Sequence, residues 1–189
     1  MSKTALAILG LLSERPMHGY EIRQTIKERW MDMWANVSMP SIYNTLNRLS
    51  ADEHIKEEER KEKIGKIPQR YIYSLTDSGK LYLKELVEKG MVEGATNPHI
   101  KGTFWLSLVF VQYASPEIAK NALDKMIKSL ANSLESLKEN QKEAEKYENE
   151  IPIQWFAIMY AGIDSMKTEI KHLQYVLDNF DKTCRGMNQ

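Results

Sequence analysis

The chain holds 189 residues, 42% of them hydrophobic and 28% charged, the composition of an ordinary soluble protein able to bury a core. Lys and Arg total 26 and Asp and Glu total 26, so any contact with nucleic acid must rest on local charge rather than on a basic chain. The single Cys184 excludes a disulfide framework and fits a reducing, cytoplasmic setting, and the apolar run Ala5–Leu12 is too short to span a membrane and lacks a cleavage site.

Thr4–Ser13 reads as a compact apolar helix with Leu6, Leu9 and Leu12 along one side. Pro16 ends it, because the residue before a proline is pushed out of helical conformations. Gly19 opens a second helix, in which Ile22, Ile26 and Trp30 recur every four residues and Met33 follows. After the connector Trp34–Val37, Ser38–Ala51 is expected to form a third helix, with Ser38 as its cap and Pro40 in its first turn. Ile42, Leu46 and Leu49 make its apolar stripe. Ser41, Asn44, Asn47 and Arg48 then share the opposite side. An Arg, two amides and a hydroxyl, with no carboxylate among them, are the groups that hydrogen-bond base edges and phosphates. A plain amphipathic helix is the alternative, and the rest of the chain must decide.

Farther on the period changes. Ile55–Glu62 is charged and weakly alternating, Lys63–Gln69 is a turn-rich tip around Gly65, and Arg70–Leu75 alternates with Tyr71, Tyr73 and Leu75 on one face. These make a two-stranded hairpin, which is marginal in water and must pack on the helices. Thr76 caps the next helix, whose Leu83, Leu86 and Val87 turn to the core. Helix–helix–helix–hairpin–helix is the order of a winged helix, in which the third helix docks in the major groove and the wing lies near phosphates. In the wing, Arg60, Lys61, Lys63, Lys66 and Arg70 outnumber the single acid Glu62, a net charge of +4 suited to salt-dependent phosphate contact. Glu57–Glu59 is expected to point away from the duplex.

Gly90–Gly102, with three glycines and a proline, is the best boundary, giving domains over 1–90 and 103–182 joined by a linker over 91–102. Phe104–Tyr113 is a short apolar helix. Ser115-Pro116-Glu117 starts a longer one that carries Leu123, Ile127, Leu130, Leu134 and Leu137 and stops near Pro152. In the last helix Phe156, Met159, Ile163, Met166, Ile170, Leu173, Leu177 and Phe180 form an unbroken heptad seam. A second copy of the chain covers such a seam in one reading, an internal helical hairpin in the other. Trp105, Trp155, Phe156 and Tyr160 are candidates for a hydrophobic or aromatic effector pocket near it, against simple packing as the alternative. His18, His54, His99 and His172 are scattered without metal-ligand spacing, and no nucleophile elbow, P-loop or dinucleotide fingerprint is present. Neither catalysis, a metal nor a cofactor is expected.

AILGLLSERPMHGYEI (Ala7–Ile22), SIYNTLNRL (Ser41–Leu49) and RYIYSLTDSGK (Arg70–Lys80) resemble the PadR family of bacterial transcriptional regulators. The first is similar to the family's first helix and the small-Gly-Tyr-acid-aliphatic start of its second. The next is similar to its Ile-Tyr-Pro-x-Leu recognition segment, and the last to its wing strand and Leu-Thr-x-x-Gly helix start. The C-terminal helices resemble, by pattern, the dimerisation domain of members related to the virulence activator AphA. The resemblance implies a mainly α fold and a cytoplasmic homodimer, usually a repressor, that binds double-stranded DNA at a palindromic operator. Some members answer to phenolic acids or hydrophobic drugs near the dimer interface. Ser41, Asn44, Asn47 and Arg48 would then reach base edges or phosphates, Tyr43 the sugar–phosphate backbone, and Lys63, Lys66 and Arg70 would hold the wing to phosphates. An activator, or a winged helix that binds another polypeptide, are the alternatives. Asn44 stands where the family often has Pro, and His54 replaces the usual Gly after this helix, so that turn is expected to differ.

Overall fold

The computed structural model describes residues 2–183 except 65–66 and 98–100, with the backbone alone over 60–64, 67–70 and 183. Two compact units divide the chain, Met1–Pro116 and Glu117–Gln189.

The first unit is built around α1 (Lys3–Glu14), whose Thr4 to Leu12 are all buried. The Ser2 side chain accepts from the Ala5 N–H to cap it. Gly10 makes room for the ring of Phe110, which any Cβ there would strike. β1 (Met17–His18) leads into α2 (Gly19–Glu28), which buries Ile22 and Ile26. The expected recurrence stops there: α2 ends before Trp30, which turns left-handed at φ 57° and stands 66% exposed, and Met33 is 68% exposed. The chain passes through the single turn α3 (Met31–Trp34) and a 3-10 turn over Met39–Ser41 into α4 (Ile42–Ala51). Ser38 caps through its carbonyl, which accepts from the Ser41 N–H and hydroxyl, and its side chain makes no capping bond.

After α4 come β2 (Ile55–Ile64), β3 (Ile67–Leu75) and α5 (Asp77–Thr96). The sheet order is β1-β3-β2, all antiparallel, running from Ile55 opposite Leu75 to Ile64 opposite Ile67, with an irregularity between Glu59 and Glu62. The hairpin strands therefore extend into the expected tip. Tyr73 is buried in the sheet, with Tyr71 and Leu75 half-buried.

The expected linker falls inside the first unit. α5 continues through Gly90 and Gly94, and α6 (Lys101–Val109) packs back on it. Gly94 permits that close approach, because an added Cβ would lie 2.6 Å from the Cβ of Phe104. Ser115 carries the chain into the second unit.

The second unit is an antiparallel hairpin of α7 (Pro116–Glu145) and α8 (Ile153–Asp178), followed by the turn α9 (Phe180–Thr183). Lys120 pairs with Asp181 at 3.1 Å, Leu137 touches Gly162, and the Tyr160 hydroxyl reaches Glu145 at 3.4 Å. The heptad seam turns inward: Phe156, Ile163, Leu173 and Phe180 are buried within the single chain, and Met159, Met166, Ile170 and Leu177 are half-buried. α7 faces this seam with an apolar stripe of its own in Leu130 and Leu134, and four of the eight seam residues keep part of their surface in the single chain. Among the described residues no helix is long and apolar enough to cross a membrane.

Candidate nucleic-acid interface

α4 divides cleanly into two faces. Ile42, Thr45, Leu46 and Leu49 are buried, with the Thr45 hydroxyl donating to the Ser41 carbonyl at 2.8 Å. Tyr43, Asn44, Asn47 and Arg48 are exposed, as the 3.6-residue period requires. Ser41 is drawn away from this face: its hydroxyl donates to the Ser38 carbonyl at 2.9 Å and lies 3.1 Å from the Thr4 hydroxyl. Tyr43 leans over Gly19, where an added Cβ would meet the ring at 3.0 Å.

Local hydrogen bonds order the elements around α4 and close its C-terminal end. The His18 imidazole bonds the Tyr71 carbonyl at 2.8 Å, and the Glu21 carboxylate accepts from the His18 N–H at 2.7 Å, so the start of α2 is fixed to β3. Arg15 closes on the same Glu21 at 3.1 Å. At its far end α4 finishes in a Schellman motif, with His54 N–H bonded to the Leu49 carbonyl and Glu53 N–H to that of Ser50. The left-handed residue of that motif is Glu53 at φ 58°, one position before His54. Thr76 then couples the turn to α5, donating to the Glu53 and His54 carbonyls at 2.8 and 2.9 Å and accepting from the Gly79 N–H at 3.0 Å. Gly79 is required because any Cβ there would collide with the His54 carbonyl oxygen.

The charges of this unit are unevenly committed. Arg15, Arg29, Lys56, Lys80, Lys84 and Lys89 lie 2.6–3.9 Å from a carboxylate. Lys3, Arg23, Lys27 and Arg48 form no ion pair among the described residues. All four stand on α1, α2 and α4, and Arg48 has no acid on its helix. The sequence reading missed Arg23 and Lys27, although their spacing opposite Ile22 and Ile26 marks the outer side of α2.

In the wing, Lys63, Lys66 and Arg70 lie outside the residues whose side chains are described. Glu57, Glu58 and Glu59 are exposed, and strand alternation sends Glu58 to the face opposite Glu57 and Glu59, so the three cannot all point one way. Glu58 is engaged by Lys56 at 3.1 Å. Burial, and next the Glu57 carboxylate, hold the Tyr73 phenol above its ordinary range.

The aromatic candidates separate. Trp105 belongs to the first unit, edge-on to Phe104 with centroids 5.9 Å apart. Phe156 and Tyr160 share a cleft of about 550 Å³ at the tip of the α7–α8 hairpin with Ile151, Ile153, Glu145 and Glu148. Trp155 stands 57% exposed on α8 and does not line it. Of the histidines, His18 is buried, His54 stacks on Tyr82 at 4.3 Å, His172 is exposed, and His99, like Cys184, lies outside the described residues.

Among solved structures the chain is similar to Bacillus subtilis PadR in complex with operator DNA, at 19% identity, covering 92% of this chain and 97% of that one with a TM-score of 0.39. It is also similar to smu.1604c from Streptococcus mutans UA159, at 22% identity, 92% and 98% coverage and a TM-score of 0.38. A third likeness is to the PadR-like transcriptional regulator BC1756 from Bacillus cereus, at 18% identity, 95% and 99% coverage and a TM-score of 0.36. Among curated proteins none matches. The model of the transcriptional regulator PadR-like family matches residues 8–85, from the middle of α1 through β3 into α5. Over this winged-helix unit, the chain is similar to the transcriptional regulator PadR-like family.

Proposed function

We propose that this regulator is a homodimeric repressor that reads a palindromic operator with α4. The observation that carries the reading is the exposed, carboxylate-free face of Asn44, Asn47 and Arg48, whose guanidinium has no acid partner among the described residues. Two amides and a free guanidinium are matched to adenine and guanine edges in the major groove. Tyr43 lies beside them, placed to meet the sugar–phosphate backbone, while Ser41 sets the start of the helix. Lys63, Lys66 and Arg70 hold the wing to phosphates. Two-fold symmetry spaces the half-sites by one helical turn, roughly 34 Å, or a multiple of it. The second copy joins through α8, on the side that the hairpin leaves open. An aromatic effector seated against Phe156 and Tyr160 relieves repression.

A gel shift with the DNA upstream of this protein's own gene tests the reading. Arg48→Ala should weaken operator binding by about 1–3 kcal/mol and relax the preference at one base pair, whereas Lys66→Ala should weaken all sequences evenly. Equal, sequence-blind losses from both variants would remove α4 from the role of reader. Adding planar aromatic compounds to the same mixtures tests the effector, whose binding should release the shifted band.

A further inference from the structure

We infer that the cleft between α2 and the turn leading into α4 is a second phosphate seat, one that takes the DNA backbone beside the recognition helix. The inference rests on the operator-binding reading and adds a contact that the wing and α4 do not supply. The cleft holds about 400 Å³ and is lined by Tyr20, Arg23, Gln24, Lys27, Asp32 and Met39. Met39 opens the turn that becomes α4, so the cleft abuts the end of the recognition helix that leads into the groove.

The chemistry of the lining favours a polyanion. Arg23 and Lys27 stand four residues apart on one face, where like charges repel in the free protein. Six other cations of this unit are within 4.0 Å of a carboxylate, yet these two form no ion pair among the described residues. Two exposed cations hold a single small anion weakly, because water and salt screen them. A duplex backbone is different, since each phosphate neutralised releases a condensed counterion. The Tyr20 hydroxyl and the Gln24 amide, which donates to Glu28 at 2.7 Å, add neutral groups at the same wall. Asp32 is the opposing charge in the lining, and it predicts an effect of opposite sign.

The test is the salt dependence of binding by the full-length protein, with operator and random duplexes. Each phosphate contact contributes about 0.9 to the slope of log affinity against log salt, so Arg23→Ala with Lys27→Ala should flatten the slope by about 1.8 per protomer on both duplexes. Between 50 and 200 mM salt the wild type should then lose about tenfold more affinity per protomer than the double variant, roughly 150-fold for the dimer. Asp32→Asn should tighten binding to both duplexes. Lys128→Ala removes a cation that is paired with Asp124 in the second unit, and it should leave the slope unchanged. Melting curves establish that each variant is folded. A double variant that keeps the wild-type slope would overturn the seat, as would a loss confined to the operator. Inorganic phosphate that displaces DNA better than chloride at equal ionic strength would assign the cleft to a free anion instead. Failure of the wild type to bind either duplex would sink the operator reading itself, a result distinct from these.

Discussion

Glu53 occupies a backbone conformation that favours glycine, at φ 58°, because α4 must turn sharply into β2 while the His54 and Glu53 N–H groups satisfy the last carbonyls of the helix. A side chain with a Cβ is strained there by about 1 kcal/mol or more. Glycine would lift that strain and restore some freedom to the unfolded chain, which offsets part of the gain. Glu53→Gly should therefore raise the stability by about 0.5–1 kcal/mol, read as a shifted urea midpoint at constant slope. An unchanged or lower midpoint would mean that the Glu53 side chain contributes something to the turn. At this scale the polar face of α4 and the Thr76 cap were legible, since both follow from residue type and spacing. Glu53 was not, because a non-glycine in a left-handed turn carries no compositional signal, and attention fell on His54 one residue later. Ser38 misled for a related reason: a residue of capping type need not use its side chain when its carbonyl already serves the 3-10 turn.

The elements were legible wherever a period ran for several turns, and not where tertiary contact set the limits. β1 is two residues long, too short for any alternation, and exists because β3 offers it an edge. α2 stops short of Trp30 although the apolar spacing continues, since the period says nothing of where the backbone turns away. Gly90 and Gly94 read as a boundary, but both are buried inside α5, and at Gly94 α6 needs close approach. That packing is finished by Glu88 on α5, whose carboxylate accepts from the Ser115 N–H at 2.8 Å and hydroxyl at 2.7 Å, with Lys84 at 3.9 Å. Burial on its own would raise the Glu88 pKa, but the two bonds from Ser115 and the charge of Lys84 outweigh it, and the net shift is downward. A carboxylate with a depressed folded value stabilises the fold above its unfolded pKa, about 4.3, and loses that contribution as pH falls through the folded value. Glu88→Gln should accordingly melt below the wild type at pH 7, and the gap should close on acidification to about pH 3. A gap of the same size at both pH values would show that the Glu88 charge contributes nothing at this contact.

On the scale of the whole molecule, a heptad says which residues share a face but not what lies against it. The seam from Phe156 to Phe180 is divided in the single chain, with four of its residues buried and four half-buried, and a second copy can also use a different surface. α8 carries one on its other side: Gln154, Ile158, Ala161, Ser165, Thr168, His172 and Tyr175 recur at alternating spacings of four and three, all exposed and none charged in a chain that is 28% charged. Ile158 and Tyr175 stand 62% and 67% exposed. The stripe matches itself in reverse. A two-fold axis between Ser165 and Thr168 sets Ile158 opposite the partner's Tyr175 and Ala161 opposite the partner's His172, with small residues at the centre where the helices come nearest. Ile158→Glu should dissociate the dimer in sedimentation equilibrium at micromolar concentration, since it sets a carboxylate in each of two apolar contacts. Adding Tyr175→Lys should re-form it, because the symmetry creates two Glu–Lys pairs at once, and only the antiparallel register brings those positions together. An Ile158→Glu protein that remains dimeric, or a double variant as monomeric as the single one, would rule out this face and leave the matched spacing of the stripe without a structural role.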